Sequence, residues 1–364
     1  MKKLMWLTGI ILAVVSVLWA GTVYLEKEQH RDLNQSRSKA DNVLTIFNWG
    51  DYIDPELIKS FQKETGYQVN YETFDSNEAM FTKIKQGGTS YDIAVPSEYM
   101  VSKMRQADML EPLDYKRLTG LETLDENFLK QDFDPKNEYS LPYFWGTLGI
   151  VYNDQMVDGQ DIKTWNDLWR SEFKKKIMLV DSARDILGMT LVSNGKSVNT
   201  KSIPDLAAAD GKLATLMPNV KAIVADEIKM YMAQNEAAIA VDYSGNAAEM
   251  MSRNEHLHYV VPEDGGNLWL DNFVIPKTVR NREAAYAFIN FMNRPENAAK
   301  NAEYVGYATP NKVAKTYLPK EIQDNKAWYP KADVLDKLEV YQDLGVKWTG
   351  IYNDYFLEFK MHKQ

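Results

Sequence analysis

Short apolar runs alternate with amphipathic stretches along most of the chain, starting near residue 42. VLTIFNW (43–49) predicts a strand, and the stretch after it predicts a helix with Leu57, Ile58 and Phe61 on one face. Asp54 can cap that helix and Gly66 can end it. YQVNYETF, SNEAMFTKIKQGG and YDIAVPS then predict a strand, a helix and a strand. A β-α-β-α-β series is typical of a largely parallel sheet covered by helices.

A second series of elements follows YFWGTLGIVYN (143–153). KIMLVD, AAIAVDYSGN and LHYVVPE predict strands, and DEIKMYMAQNE predicts a helix. NFVIPKTV and the helix REAAYAFINFMN are expected to return to the first series. We therefore predict an α/β protein of two lobes, each a central sheet flanked by helices. Lobe 1 is expected to comprise residues 42–147 and 270–316, and lobe 2 residues 148–269 and 317–364.

The amino-terminal end differs in composition from this body. Residues 4–25 carry no charged side chain and follow Lys2 and Lys3, which is typical of a segment addressed to a membrane. We expect residues 1–25 to be a membrane anchor or a signal segment and the polar residues 26–41 to be a linker. The protein is thus predicted to be extracytoplasmic, in the periplasm or at the cell surface, and held at the membrane unless that segment is cleaved. The chain has no cysteine, so neither a disulfide nor a lipid-bearing thiol is expected.

Charge and motifs narrow the classes of function. The 42 Lys and Arg and 51 Asp and Glu give a formal net charge of −9, which favours a cationic ligand over phosphate or nucleic acid. No G-x-G-x-x-G or P-loop motif follows a predicted strand, so we expect no nucleotide cofactor and no ATP hydrolysis by this chain. His256 and His258 lack a third neighbouring ligand, so no metal is expected. Nothing in the sequence signals oligomerisation, and we expect a monomer.

Trp269 and Asp271 lie two residues apart in GGNLWLDNFVIP (265–276), at the end of a predicted strand. Side chains at i and i+2 of a strand point to the same face, so the ring and the carboxylate would meet one site. That pair suits an ammonium group, because a cation is attracted both to an indole face and to a carboxylate. NWGDY, PSEY, DSARD and DYSGN place further aromatic or acidic side chains at strand ends. Together they predict an acidic trough with aromatic walls, which fits a flexible alkyl chain carrying several amines.

Other interpretations fit the same residues. A single Trp or Asp at such a position is also typical of packing at a strand end or of a turn cap. Paired carboxylates beside Trp and Tyr also describe the cleft of a glycoside hydrolase. A binding protein for another solute, such as a sugar stacked on tryptophan or a ferric complex, is a further alternative.

The same stretches resemble a known family. LTIFNWGDYIDPELIKSFQKETG, GGTSYDIAVPSEYMVSKM, DSARDILGM, GGNLWLDNFVIP and YVGYATPN are similar to segments of the spermidine/putrescine-binding proteins of bacterial ABC importers. The resemblance covers nearly the whole chain from residue 43 onward. It implies a type II periplasmic-binding-protein fold that closes over a ligand in the cleft between its lobes. It also implies a binding protein rather than an enzyme, with a polyamine as ligand and a membrane permease as partner.

The resemblance also implies which side chains bind the ligand. The implied ligand-binding residues are Trp49, Asp51, Tyr52, Ser97, Tyr99, Asp185, Tyr243, Trp269, Asp271, Tyr307 and Gln342. In this assignment the aromatic residues form the walls, and Asp271 holds an ammonium group. Asp185 and Asp51 are further carboxylates, Ser97 contributes a hydroxyl and Gln342 reaches a terminal amine.

Three departures from the family pattern are visible. Ser182 stands where the family often has a further acid, and Tyr243 stands where it often has a tryptophan. Both changes leave the preference between spermidine and putrescine open. The cysteine that would carry a lipid is absent, which favours the apolar helix as the anchor.

Overall fold

The computed structural model describes residues 42–159, 161–225 and 227–361. The predicted anchor or signal segment, 1–25, and the predicted linker, 26–41, lie outside these residues. Within the described ranges, no helix has both the length and the apolar character needed to span a bilayer.

Within the part of the chain that the structure describes, ten strands form one sheet. They are β1 (Val43–Trp49), β2 (Gln68–Phe74), β3 (Ile93–Ala94), β4 (Ser140–Asn153), β5 (Ile177–Val180), β6 (Val220–Val224), β7 (Ile239–Tyr243), β8 (Leu257–Val260), β9 (Gly266–Val274) and β10 (Leu338–Val340). The strands follow the order β2-β1-β3-β9-β4-β7-β5-β6, with β8 beside β4 and β10 beside β9.

The helices lie between these strands and after the last of them. They are α1 (Pro55–Thr65), α2 (Asn77–Gln86), α3 (Glu98–Gln106), α4 (Ala183–Ser193), α5 (Ile203–Leu216), α6 (Glu227–Ala233), α7 (Ser244–Arg253), α8 (Arg282–Asn293), α9 (Pro295–Val305), α10 (Lys312–Lys315), α11 (Lys320–Gln323), α12 (Ala332–Leu335) and α13 (Gly345–Met361). Short 3-10 turns are Tyr115–Arg117, Leu121–Thr123, Glu126–Phe128, Trp165–Trp169, Ser171–Phe173 and Met217–Asn219.

Local signals account for the limits of the first helix. The side chain of Asp54 accepts a hydrogen bond from the N–H of Glu56, and Pro55 occupies the first turn, where its missing N–H costs nothing. Gly66 ends the helix with φ of +80°, a left-handed conformation that glycine adopts without a steric penalty. The predicted cap and stop are therefore confirmed.

The prediction of a largely parallel sheet was wrong for the central strands. β1 is parallel to β2 and β3, and β5 is parallel to β6 and β7. β4, however, is antiparallel to β7, β8 and β9, and β9 is antiparallel to β3. The reason is that β4 carries the chain out of the first series and β9 carries it back, so the two strands run in opposite directions.

β4 joins the two parts of the sheet. Its residues 140–147 pair with β9, whereas its residues 148–153 pair with β7 and β8. One large apolar cluster packs around β5 and β7 with α4 and α5, and another packs around β1 and the first half of β4 with α1 and α8. The boundaries assigned to the two lobes from the sequence stay a prediction.

Candidate functional site

Asp271 lies in β9 and is 6% exposed. The Tyr52 hydroxyl donates a hydrogen bond of 2.6 Å to its Oδ2 atom, and the Ser97 hydroxyl donates one of 2.6 Å to its Oδ1 atom. Ser97 also pairs with Asp271 through an isolated antiparallel bridge, which fixes the first residue before α3 against β9. Three segments that are distant in sequence therefore meet at one carboxyl group.

The acidity of Asp271 reflects its burial. Desolvation raises the pKa of Asp271 to about 6, although the hydrogen bonds from Ser97 and Tyr52 act in the opposite direction. A ligand cation beside this carboxyl group would lower its pKa further and would favour the ionised form.

Aromatic rings surround this carboxyl group. The Trp269 and Tyr307 rings meet edge to face with centroids 4.9 Å apart and planes at 88°. The Tyr52 and Tyr307 rings are 5.6 Å apart, also edge to face. The Trp269 ring lies over Gly146, where an added Cβ would be 2.3 Å from Cζ2 of the indole. Within the described part of the chain, the buried indole N–H of Trp269 has no hydrogen-bond acceptor.

Asp185 is a second buried carboxyl group, 4% exposed, in the first turn of α4. The Tyr243 hydroxyl donates to its Oδ2 atom at 2.7 Å, and the Tyr341 hydroxyl donates to its Oδ1 atom at 2.8 Å. Ser182, at the position of the absent acid, instead caps α4 by accepting from the N–H of Asp185. Sequence reasoning missed Tyr341, whose only signal was its position next to Gln342.

Arg184 introduces a fixed positive charge next to Asp185. Its guanidinium group lies over the Tyr341 ring at 4.3 Å and over the Tyr352 ring at 5.4 Å. It donates to the side chain of Asn199 at 3.0 Å and to the backbone carbonyl of Gln342 at 3.3 Å. These contacts hold the cation on the aromatic rings behind the Asp185 carboxyl group.

The start of α7 connects the two carboxyl groups. Tyr243, which binds Asp185, is followed by Ser244 and Gly245. A Cβ added to Gly245 would be 1.9 Å from the Tyr307 ring, so the ring rests directly on this glycine. Tyr307 in turn contacts Trp269 and Tyr52. The Asp271 and Asp185 groups therefore belong to one connected site.

The remaining predicted residues lie within three positions of residues that form this site. The Trp49 ring packs on Phe74, with centroids 4.6 Å apart, and its buried indole N–H has no acceptor among the described residues. Asp51 is exposed and adopts φ of +50° in the turn after β1. The Tyr99 ring is half-buried against apolar clusters on both sides of the site. Gln342 is exposed, and its amide donates to Asp132 at 3.4 Å.

The placement of Trp269 and Asp271 at a strand end was wrong. Both lie in the middle of β9, which continues to Val274, because Phe273 and Val274 keep pairing with β4. They remain two residues apart within one strand, so the predicted common face is confirmed.

Glu98, which sequence reasoning missed, is a third carboxyl group at this site. It is the first residue of α3 and is 1% exposed, and its Oε2 atom accepts a hydrogen bond of 2.9 Å from the N–H of Leu270. Desolvation raises the pKa of Glu98 to about 8, opposed by that hydrogen bond and reinforced by the charge of Asp271. The visible signal was a glutamate between Ser97 and Tyr99 in PSEY.

The described residues contain no group of three or more His, Cys, Asp or Glu side chains arranged to hold a metal ion. His256 and His258 instead contact the two oxygens of the Asp154 carboxyl group, at 3.1 and 2.8 Å.

Comparisons with known proteins all find similarity to solute-binding proteins. The family model "Bacterial extracellular solute-binding protein" matches residues 56–330. The "Spermidine/putrescine-binding periplasmic protein" of Escherichia coli (strain K12) is 37% identical over 331 residues, covering 90% of this chain and 95% of the relative. The "Putrescine-binding periplasmic protein PotF" of the same organism is 29% identical over 352 residues, covering 92% and 91%.

A solved structure shows the same relationship in three dimensions. It is the spermidine/putrescine ABC transporter substrate-binding protein PotD from Streptococcus pneumoniae, which is 58% identical. It aligns with a TM-score of 0.84 over 89% of this chain and 100% of its own.

Proposed function

The chain belongs to the family of bacterial extracellular solute-binding proteins, and we propose that it captures a polyamine and delivers it to the membrane permease of an ABC importer. Its relatives carry the names of spermidine- and putrescine-binding proteins. The resemblance stated from the sequence and the predicted two-lobed fold are thus confirmed.

One observation carries the proposal, namely the buried Asp271 carboxyl group with rings around it and hydroxyls on both of its oxygens. A carboxylate has about four lone-pair sites, so two remain for a ligand after Tyr52 and Ser97 have donated. A charge-assisted hydrogen bond from an ammonium group contributes about 1.5–3 kcal/mol, and a cation over an indole face contributes about 0.5–2 kcal/mol. Asp271 and Trp269 can supply both to the same nitrogen.

Asp185 provides the second anchor in this proposal. Tyr243 and Tyr341 hold its two oxygens in place and leave lone pairs for another amine. Association costs at least about 4 kcal/mol of translational and rotational freedom, so a single ammonium contact would bind weakly. Two anchored amines with methylenes between aromatic rings can reach micromolar affinity, about −8 kcal/mol.

The other predicted residues enter as proposals of the same kind. Trp49, Tyr99 and Gln342 are near in sequence to residues that form the site, and closure of the two lobes would bring them onto the ligand. We infer that the protein acts as an extracytoplasmic monomer that binds its ligand without transforming it. We also infer that the apolar segment 4–25 directs it to the membrane, as anchor or signal.

Isothermal titration calorimetry of the full chain, kept soluble with a non-ionic detergent, tests the proposal. Spermidine and putrescine are the ligands, and butane-1,4-diol is the uncharged control of the same length as putrescine. We expect micromolar or tighter binding of an amine that weakens with salt, and no binding of the diol. No heat with either amine would refute the polyamine assignment and would direct attention to sugars or metal complexes.

A further inference from the structure

Glu98 and Asp271 are linked through the same short piece of backbone. Glu98 accepts a hydrogen bond from the N–H of Leu270, which immediately precedes Asp271. Ser97, which precedes Glu98, donates to the Asp271 carboxyl group. Two buried carboxyl groups thus hold β9 against the amino terminus of α3.

Opposing forces act on the charge of Glu98. Burial and the negative charge of Asp271 favour the protonated form. The Leu270 N–H, the amino terminus of α3 and the positive charge of Arg184 favour the ionised form. With a pKa of about 8 for Glu98 and about 6 for Asp271, the pair carries close to one negative charge at neutral pH.

We propose that Glu98 releases its proton to solvent when a ligand ammonium group binds Asp271, so that ligand capture and proton release are coupled. In this step the O–H bond of Glu98 breaks, the proton goes to buffer and the ammonium group keeps all its protons. Glu98 then acts as a positioning residue. Its charge is the second negative charge of the Glu98–Asp271 pair, and it acts on the ligand through Asp271 and the Leu270 amide. The inference rests on the proposed function and adds a regulatory property to the same site.

The charged groups near Glu98 define how it responds. Asp271 faces it from β9, Arg184 acts on it from α4, and Tyr99 lies on its own helix. Burial raises the pKa of Tyr99, so that phenol stays neutral at physiological pH. Burial is the largest cause that keeps Glu98 protonated, and the negative charge of Asp271 adds to it. A cation bound at Asp271 offsets that added repulsion and places a positive charge near Glu98, which favours the ionised form.

Calorimetry in three buffers of different ionisation enthalpy, at pH 7, counts the protons released. Putrescine is the main probe, since its primary amines resemble the lysine side chain, with a pKa of about 10.4, and stay charged throughout. We expect the full-length chain to release close to one proton per ligand. The Glu98→Gln variant should still bind but should lose most of this release. Glu303→Gln, which removes an exposed carboxylate on α9, is the matched control and should release as much as the parent.

The outcomes separate the two proposals. If the parent binds no amine, the proposed function fails. If it binds an amine without releasing a proton, or if Glu98→Gln releases as much as the parent, the inference about Glu98 alone is overturned. Should Glu98→Gln fail to fold, release by the parent at pH 7 and pH 8.5 decides the matter. Release must fall at pH 8.5, where most of Glu98 is already ionised while the amines are still charged, and equal values would overturn the inference.

Discussion

Replacing Asp271 by asparagine should have opposite effects on binding and on stability. The change keeps the shape of the side chain and removes its negative charge. A charge-assisted hydrogen bond contributes about 1.5–3 kcal/mol, and tenfold in affinity corresponds to about 1.4 kcal/mol. The variant should therefore bind spermidine and putrescine about 10- to 150-fold more weakly than the parent.

The ligand-free variant should at the same time be more stable near pH 7.5. The pKa of Asp271 is about 6 in the folded protein and close to 3.8 in the unfolded chain, so the folded state binds the proton more tightly. Stability is then lost as the pH rises from about 4 to about 6, and the loss persists above pH 6. A difference of about two pKa units corresponds to roughly 3 kcal/mol, part of which asparagine recovers because it carries no charge.

Two measurements on the same samples check this reasoning. Calorimetric titration measures the loss of affinity, and thermal unfolding without ligand at pH 5 and pH 7.5 measures the gain in stability. We expect a melting temperature a few degrees higher than that of the parent at pH 7.5 and a smaller difference at pH 5. Asp333→Asn, an exposed residue of α12, makes the same change in net charge and should alter neither quantity. Parent-like affinity for both amines in Asp271→Asn would refute the role assigned to Asp271.

Three further predictions follow from the site. Gly146→Ala should push the Trp269 ring off β4, which should cost about 1–3 kcal/mol of stability and much of the ligand affinity. Tryptophan fluorescence and calorimetry would detect these changes. The control is Gly211→Ala, where the added methyl meets nothing, and it should leave binding unchanged. Tyr341→Phe should weaken amine binding about tenfold by releasing one oxygen of Asp185, and unchanged calorimetric affinity would argue against the second anchor. Raising the salt concentration from 50 to 500 mM should weaken amine binding several-fold, and salt-independent affinity would count against an ionic ligand contact.

The local elements and the nature of the site could be predicted from the sequence. Asp54, Pro55 and Gly66 determine the limits of α1 through hydrogen bonds and backbone conformations that involve only neighbouring residues. The alternation along GGNLWLDNFVIP places Trp269 and Asp271 on one face, because side chains alternate in every strand. The quoted segments were also sufficient to identify the family.

Contacts between distant segments depend on the tertiary structure. Tyr52 and Asp271 are 219 residues apart, and Tyr341 and Asp185 are 156 residues apart. No local sequence pattern therefore indicates that each tyrosine donates a hydrogen bond to its aspartate. The length of β9 and its antiparallel pairing with β4 likewise follow from how the chain returns between the two series. The burial of Glu98 beside Asp271 likewise depends on packing between distant segments.

The sequence by itself therefore determined the elements, the chemical character of the site and the family, because these depend on residue type and on periodicity over a few positions. Only the tertiary structure decided which hydroxyls hold each carboxyl group and which carboxyl groups lose their water. Burial and long-range hydrogen bonding set the charge of Asp271 and Glu98, and both arise when segments hundreds of residues apart pack together.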